Sequence, residues 1–202
     1  MMFVDLVERS VATFIELMND RLEHSVFTTE DSVRYTFFAA LLAQGVAPHQ
    51  VVLEYPHPKI KGAEVDTWIT PSEKVDDSVI AIEFKYDRTI PSGYNQPKTQ
   101  KAGSVFRDLQ RQALLAEDAA VAPYFVYLAT LEMAKYFSNP KNGLSHLWHL
   151  KKDEQLSIDE DFANSKAKTF LSQIMDVKPF SIVGVVSSEL ANRHYLKVYK
   201  LA

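Results

Sequence analysis

Asp66 stands in one apolar run, Lys61-Gly62-Ala63-Glu64-Val65-Asp66-Thr67-Trp68-Ile69-Thr70. A Glu83-Phe84-Lys85 triplet closes the next, Ser78-Val79-Ile80-Ala81-Ile82-Glu83-Phe84-Lys85-Tyr86. Two carboxylates can hold a divalent cation through hard oxygen donors, and an ammonium beside them can polarise a phosphate or a water. Metal-assisted hydrolysis of a phosphodiester is the chemistry these three side chains point to.

The elements that must position them are short strands. Val51-Val52-Leu53-Glu54-Tyr55-Pro56 and the two runs above are rich in β-branched and aromatic residues, and each is closed by Pro, Gly or a polar cluster. Strand period 2 sends Glu83 and Lys85 to one face and Ile82 and Phe84 to the other. Asp66 joins Glu83 only if the two strands pair antiparallel with their charged ends adjacent, which the polar connection at 71–77 permits.

In this setting the residues resemble the PD-(D/E)xK nuclease superfamily, the restriction endonuclease-like fold, over about residues 28–130. Val65 stands where the Pro of the name would be. The resemblance implies an α/β fold with an αβββαβ core, a mixed central sheet flanked by helices, extended here by a C-terminal helix and strand pair. It implies a catalytic centre of Asp66, Glu83 and Lys85 with Mg²⁺ as cofactor and Mn²⁺ as a substitute.

Upstream, Thr28-Thr29-Glu30-Asp31-Ser32 opens a helix whose apolar positions Val33, Phe37, Phe38, Leu41 and Leu42 recur at helical spacing until Gly45. The resemblance implies a further acid from such a helix, and Glu30 is the choice for that metal-ligand role. As a first-turn acid, Glu30 also complements the helix dipole and has Arg34 four residues on. Glu54, in the first strand, is a second candidate or an ordinary exposed strand acid.

Downstream, Arg88 to Gly103 carries almost no aliphatic side chain and reads as a surface loop. Such a loop could track a phosphate backbone through Lys98 and Lys101 while Asn95 and Gln96 reach base edges. From Lys85 to Arg111, six Lys or Arg face only Asp87 and Asp108, a local basic band on a chain of net charge −4. Arg107 and Arg111 of that band are further candidates for DNA contact. Ser104 to Leu115 reads as a helix with Phe106, Leu109 and Ala113 on one face. The resemblance offers Asp108 or Gln110 as polar groups facing the metal centre, and a plain polar helix face is the other reading. Tyr124-Phe125-Val126-Tyr127-Leu128-Ala129-Thr130 reads as a buried strand, parallel to the Glu-x-Lys strand after a helical crossover.

The 202 residues, 47% hydrophobic and 11% aromatic, bound one domain, with a core at about 28–130 and an elaboration at 131–202. Absence of Cys excludes disulfides, zinc-thiolate sites and a thiol nucleophile, and fits a cytoplasmic setting. No signal peptide and no membrane-spanning run is legible. Residues 3–22 read as an amphipathic helix that packs on the sheet or on a second subunit. A helix is expected over Leu131 to Phe137, an ambiguous segment over Leu144 to Leu150, and a helix up to about Ile174. Phe180 to Ser187 and His194 to Leu201 form a strand pair that extends the sheet or makes a dimer contact. His146 and His149 read as ordinary polar positions, and His57 as a DNA contact or a rim residue. No phosphate-loop, nucleophile-elbow or His-Glu-x-x-His motif is present, so no nucleotide cofactor is expected.

The resulting expectation is a DNA endonuclease of restriction or defence type, a homodimer if it cuts both strands. A non-cleaving DNA-binding or regulatory module of the same fold is the alternative. A plain interaction protein in which Glu83 and Lys85 merely pair is a third reading.

Overall fold

The computed structural model describes residues 3–70, 79–88, 95–174 and 179–202, and among them the chain is α/β with a seven-stranded mixed sheet and seven α-helices. Helices α1 (Phe3–Glu23) and α2 (Glu30–Ala43) precede strands β1 (Val51–Pro56), β2 (Glu64–Ile69) and β3 (Val79–Asp87). Then come α3 (Lys98–Ala113), β4 (Val121–Thr130), α4 (Leu131–Ser138), the short α5 (Ser145–Trp148) and β5 (Gln155–Ile158). Two more short helices, α6 (Glu160–Asn164) and α7 (Lys168–Leu171), lead to β6 (Phe180–Leu190) and β7 (His194–Leu201). The polar connection at 71–77 and residues 89–94 of the expected loop lie outside the described residues.

The sheet runs in the order β1-β2-β3-β4-β7-β6-β5, with β3 and β4 parallel and every other neighbouring pair antiparallel. A helical crossover through α3 makes the parallel pair possible. Period 2 divides β3 between two layers. Ile80, Ile82 and Phe84 join the core under α1 and α2, with Phe14, Met18, Phe37 and Leu41. Ala81 packs with Val65, Trp68 and Leu115 on the opposite face, so Glu83 and Lys85 point toward α3. Beyond them a second core joins Phe125, Tyr127 and Tyr199 to Val105, Phe106 and Leu109 of α3.

Thr29 caps α2: its hydroxyl accepts from the Ser32 amide at 3.1 Å and the Ser32 hydroxyl accepts from the Thr29 amide at 3.2 Å. This pins the first turn that carries Glu30. α1 packs on the sheet through Val7, Val11, Phe14 and Met18, all buried. No described helix is long and apolar enough to cross a membrane.

Two expectations change. Helix α3 begins at Lys98, not Ser104, because Ala102 and Gly103 are buried rather than part of a surface loop. A Cβ on Gly103 would lie 2.6 Å from the Phe170 carbonyl oxygen, so glycine is what lets α7 close on α3. The expected helix up to Ile174 is split into α6 and α7. The C-terminal strand pair joins the sheet, β7 lying against β4, where Leu196 and Val198 enter the core; a further short strand, β5, completes the far edge.

Candidate functional site

β2 and β3 pair through Thr67 opposite Ile82, Trp68 opposite Ala81 and Ile69 opposite Ile80. One step further Asp66 and Glu83 face each other, and there the strands part. The backbone amides freed on β3 are taken by carboxylates: Phe84 N–H donates to Asp66 Oδ2 at 2.8 Å and Tyr86 N–H to Glu30 Oε2 at 2.9 Å. Amides two residues apart on a strand point the same way, so the two acids continue the ladder that β2 leaves. Asp66 and Glu30 are thus fixed by the backbone on either side of Lys85.

Lys85 lies between the two helices. Its ammonium is 3.2 Å from Asp108 Oδ2 on α3 and 3.6 Å from Glu30 Oε2 on α2. Burial pulls its pKa down, but Asp108 and Glu30 outweigh burial and hold it above the ordinary lysine value. Lys85 is therefore a cation at neutral pH, suited to stabilise negative charge and unsuited to remove a proton. Glu83 is 7% exposed and its carboxyl is pushed up to about 8, first by burial and then by the charge of Asp66, with Arg111 opposing. Asp66 and Glu30 are also raised, each chiefly by burial.

Four cations hold this acid cluster together. Arg34 donates through Nη2 to Asp66 Oδ1 at 2.6 Å and through Nη1 to Glu54 Oε1 at 3.0 Å. Arg111 Nη1 is 3.5 Å from Glu83 Oε1, and Arg107 Nε donates to Asp108 Oδ1 at 3.2 Å. Lys85 is the fourth. Glu54 reaches Arg34 from a left-handed backbone, φ 55°, opposite Asp66 on the β1–β2 pair, a conformation a non-glycine residue holds only when its surroundings fix it. Arg34 was expected beside Glu30; it spans instead to Glu54 and Asp66, with Asp31 at 3.8 Å.

The remaining sequence candidates divide. Asp108, 2% exposed, belongs to the centre, whereas Gln110 lies beside Phe162, Phe170 and Phe180 on another face of α3. Residues two apart on a helix do not share a face, so Asp108 and Gln110 could not both reach the site. The glutamine at the site is Gln112, four residues after Asp108: fully buried, it donates through Nε2 to Glu83 Oε2 at 3.4 Å, and its Oε1 has no partner. The i, i+4 spacing from Asp108 was the signal that identifies it.

Lys98 and Lys101 are not on a free loop. Lys98 Nζ is 2.8 Å from Glu132, and Lys101 Nζ donates to the Arg88 carbonyl at 3.0 Å, both from the first turns of α3. Asn95 and Gln96 are exposed just ahead of that helix. Arg111 also donates to the Glu64 carbonyl at 2.6 Å. His57 is buried rather than at the rim. Its Nδ1 accepts from the Lys59 amide at 3.1 Å, so Nε2 carries the proton it donates to the Arg111 carbonyl at 3.1 Å. Burial lowers its pKa and keeps it neutral, and the ring clamps α3 to the β1–β2 connection. His146 and His149 line a separate hollow with Glu154 and Ser145.

Among the described residues no three His, Asp or Glu side chains converge as a cage for a metal ion, since each acid of the cluster is turned toward a cation. The donor set nevertheless suits a hard divalent cation: two carboxylates on facing strands, and beside Glu83 a buried amide oxygen without a partner. Compared with protein-family models, with curated proteins and with solved structures, the chain matches none of them, so the resemblance to the nuclease superfamily stands on these residues and their arrangement.

Proposed function

We propose that the protein is a metal-dependent deoxyribonuclease that hydrolyses DNA phosphodiester bonds at Asp66, Glu83 and Lys85. The observation that carries this reading is the meeting of Asp66 and Glu83 where β2 and β3 part, with Lys85 two residues on and acids from α2 and α3 around it. The order α2-β1-β2-β3-α3-β4 supports a restriction endonuclease-like core around that point.

Asp66 and Glu83 would hold Mg²⁺ or Mn²⁺, with Glu30 as the additional acid. The bound ion would supply a Lewis acid and a water acidic enough to attack near neutral pH. Lys85, kept protonated by Asp108 and Glu30, stabilises the charge that builds on the phosphate oxygens in the transition state. Phe84 N–H orients Asp66, and Gln112 orients Glu83. Arg34 and Arg111 balance the acids until substrate and metal arrive. Cutting both strands would need two such centres and hence a homodimer. A restriction or defence role is the biological setting we assign to it.

A second reading has an observation of its own. Every acid of the cluster has a cation partner, which fits a non-cleaving DNA-binding or regulatory module held together by ion pairs. Incubation of supercoiled and linear plasmid DNA with Mg²⁺ or Mn²⁺ separates the two. Cutting that EDTA abolishes, and that Asp66→Ala and Lys85→Ala each reduce by about a hundredfold or more, supports the nuclease. Retained DNA binding without cutting supports the module.

A further inference from the structure

Phe27 is the most exposed large apolar side chain among the described residues, at 70%, and it lies three residues before Glu30. The Arg88 guanidinium rests 4.6 Å from the centre of its ring. Arg88 lies three residues after Lys85, so the Phe27–Arg88 contact is the outward continuation of the Glu30–Tyr86 hydrogen bond that joins the same two segments. Three extended residues span at most about 10 Å, so the backbone at Arg88 lies within that distance of the backbone at Lys85. Arg88 is itself anchored, its carbonyl accepting from Lys101. Tyr86 backs the pair from within: it packs against the α1/α2 core and its hydroxyl is 3.0 Å from His194 Nε2.

An exposed aromatic ring costs solubility and gains nothing for the core; one face held by a guanidinium gives a rigid, positively charged plane. A protein side chain docking here would need a surrounding apolar rim, whereas a nucleotide needs a flat face for its base and a cation for its phosphate. Bases inside a duplex have both faces covered. The two lysines expected to track a duplex backbone are engaged with Glu132 and with the Arg88 carbonyl.

We propose that Phe27, held by Arg88, is a stacking platform for an unpaired base of a DNA strand entering the acid cluster, so that the preferred substrate is single-stranded or frayed DNA. This deepens the nuclease reading and names its substrate class.

The test is binding in EDTA, where no cleavage occurs, of a fluorescently labelled single-stranded oligonucleotide and of the matching blunt duplex, followed by anisotropy. The single strand binds more tightly than the duplex. Phe27→Ala weakens the single strand by about five- to 150-fold, the value of one base–aromatic stack, and leaves the duplex nearly unchanged. Phe27→Trp restores binding, and its fluorescence is quenched by the single strand. Unchanged melting of Phe27→Ala shows that the effect is not unfolding. Equal binding of both DNA forms, no binding of either, or a Phe27→Ala variant that binds the single strand like the parent would each overturn the platform. The two readings fail separately. Cleavage lost in Asp66→Ala with Phe27→Ala binding normally removes the platform and keeps the nuclease; Phe27-dependent single-strand binding without cleavage by the parent keeps the platform and removes the nuclease.

Discussion

Replacing Glu83 by Gln in metal-free protein should stabilise it increasingly as the pH rises. Glu83 sits 7% exposed beside Asp66 and Asp108, and its carboxyl is carried from 4.5 to about 8, so the folded chain keeps a proton that the unfolded chain has released. Below the unfolded value both states are protonated and nothing is lost. Between the two values the native state binds more protons than the unfolded one, so stability falls as pH rises, and above the folded value the loss is complete. At 1.36 kcal/mol per pH unit the ceiling is about 5 kcal/mol. Relaxation and water entry on ionisation bring the expected effect to on the order of 3 kcal/mol. The assay is urea unfolding in EDTA from about pH 5 to about pH 9 for the parent and Glu83→Gln, compared as a difference, because groups remote from Glu83 titrate alike in both and the difference reports Glu83 together with its neighbour Asp66. The difference should grow toward about pH 8 in favour of Glu83→Gln and then level. Mg²⁺ added at the alkaline end should recover stability in the parent, about 2.7 kcal/mol at a hundredfold excess over its dissociation constant, and much less in the variant. A difference that is flat with pH would show that Glu83 ionises like a surface acid and would refute the crowding argument.

Three further outcomes follow from the same contacts. Arg34→Met leaves the part-buried Asp66 without its cation and releases the exposed Glu54 to water, and denaturant unfolding near neutral pH should show a loss of about 2 to 3 kcal/mol. Thr29→Ala removes the acceptor of the Ser32 amide and should cost about 1 kcal/mol in the same assay, with Thr29→Ser nearly neutral. Gly184→Ala places a Cβ 2.1 Å from the Lys151 carbonyl oxygen at the irregular step between β6 and β7, and should lower stability by about 2 kcal/mol or more, read as a fall in Tm.

What was legible in the sequence follows the physics of each element. Alternation in Ile80, Ile82 and Phe84 against Glu83 and Lys85 fixed the two faces of β3, because a buried strand leaves no freedom in that period. The meeting of Asp66 with Glu83 depends on register, which a connection of that length leaves open and which the packing of Trp68 and Val65 against Ala81 decides. The start of helix α3 was placed six residues late because its first turns are polar and its small buried residues, Ala102 and Gly103, carry no hydrophobic signal. β5 is four residues long with alternating exposure and is defined by its partner β6 rather than by propensity. Arg34 was visible as a helix neighbour of Glu30, but its reach to Glu54 and Asp66 is a tertiary fact. Gln112 was within reach of sequence argument, since helical spacing from Asp108 selects it over Gln110.

The balance of charge in the cluster bears on why it exists at all. Glu30, Glu54, Asp66, Glu83 and Asp108 are five carboxylates, and Arg34, Lys85, Arg107 and Arg111 are four cations. The five acids share the four cations, Arg34 and Lys85 each serving two, and a scaffold built only for stability gains little from acids so crowded, since apolar residues of the same volume often serve as well as a complete ion-pair set. The surplus falls on the site of Glu83, whose raised pKa neutralises it in the absence of another cation. A divalent ion between Asp66 and Glu83 would reverse that, ionising Glu83 and turning the surplus acid into a ligand. In the nuclease we propose, these crowded carboxylates, held at a parting of strands and flanked by a lysine that stays charged, would take up that ion.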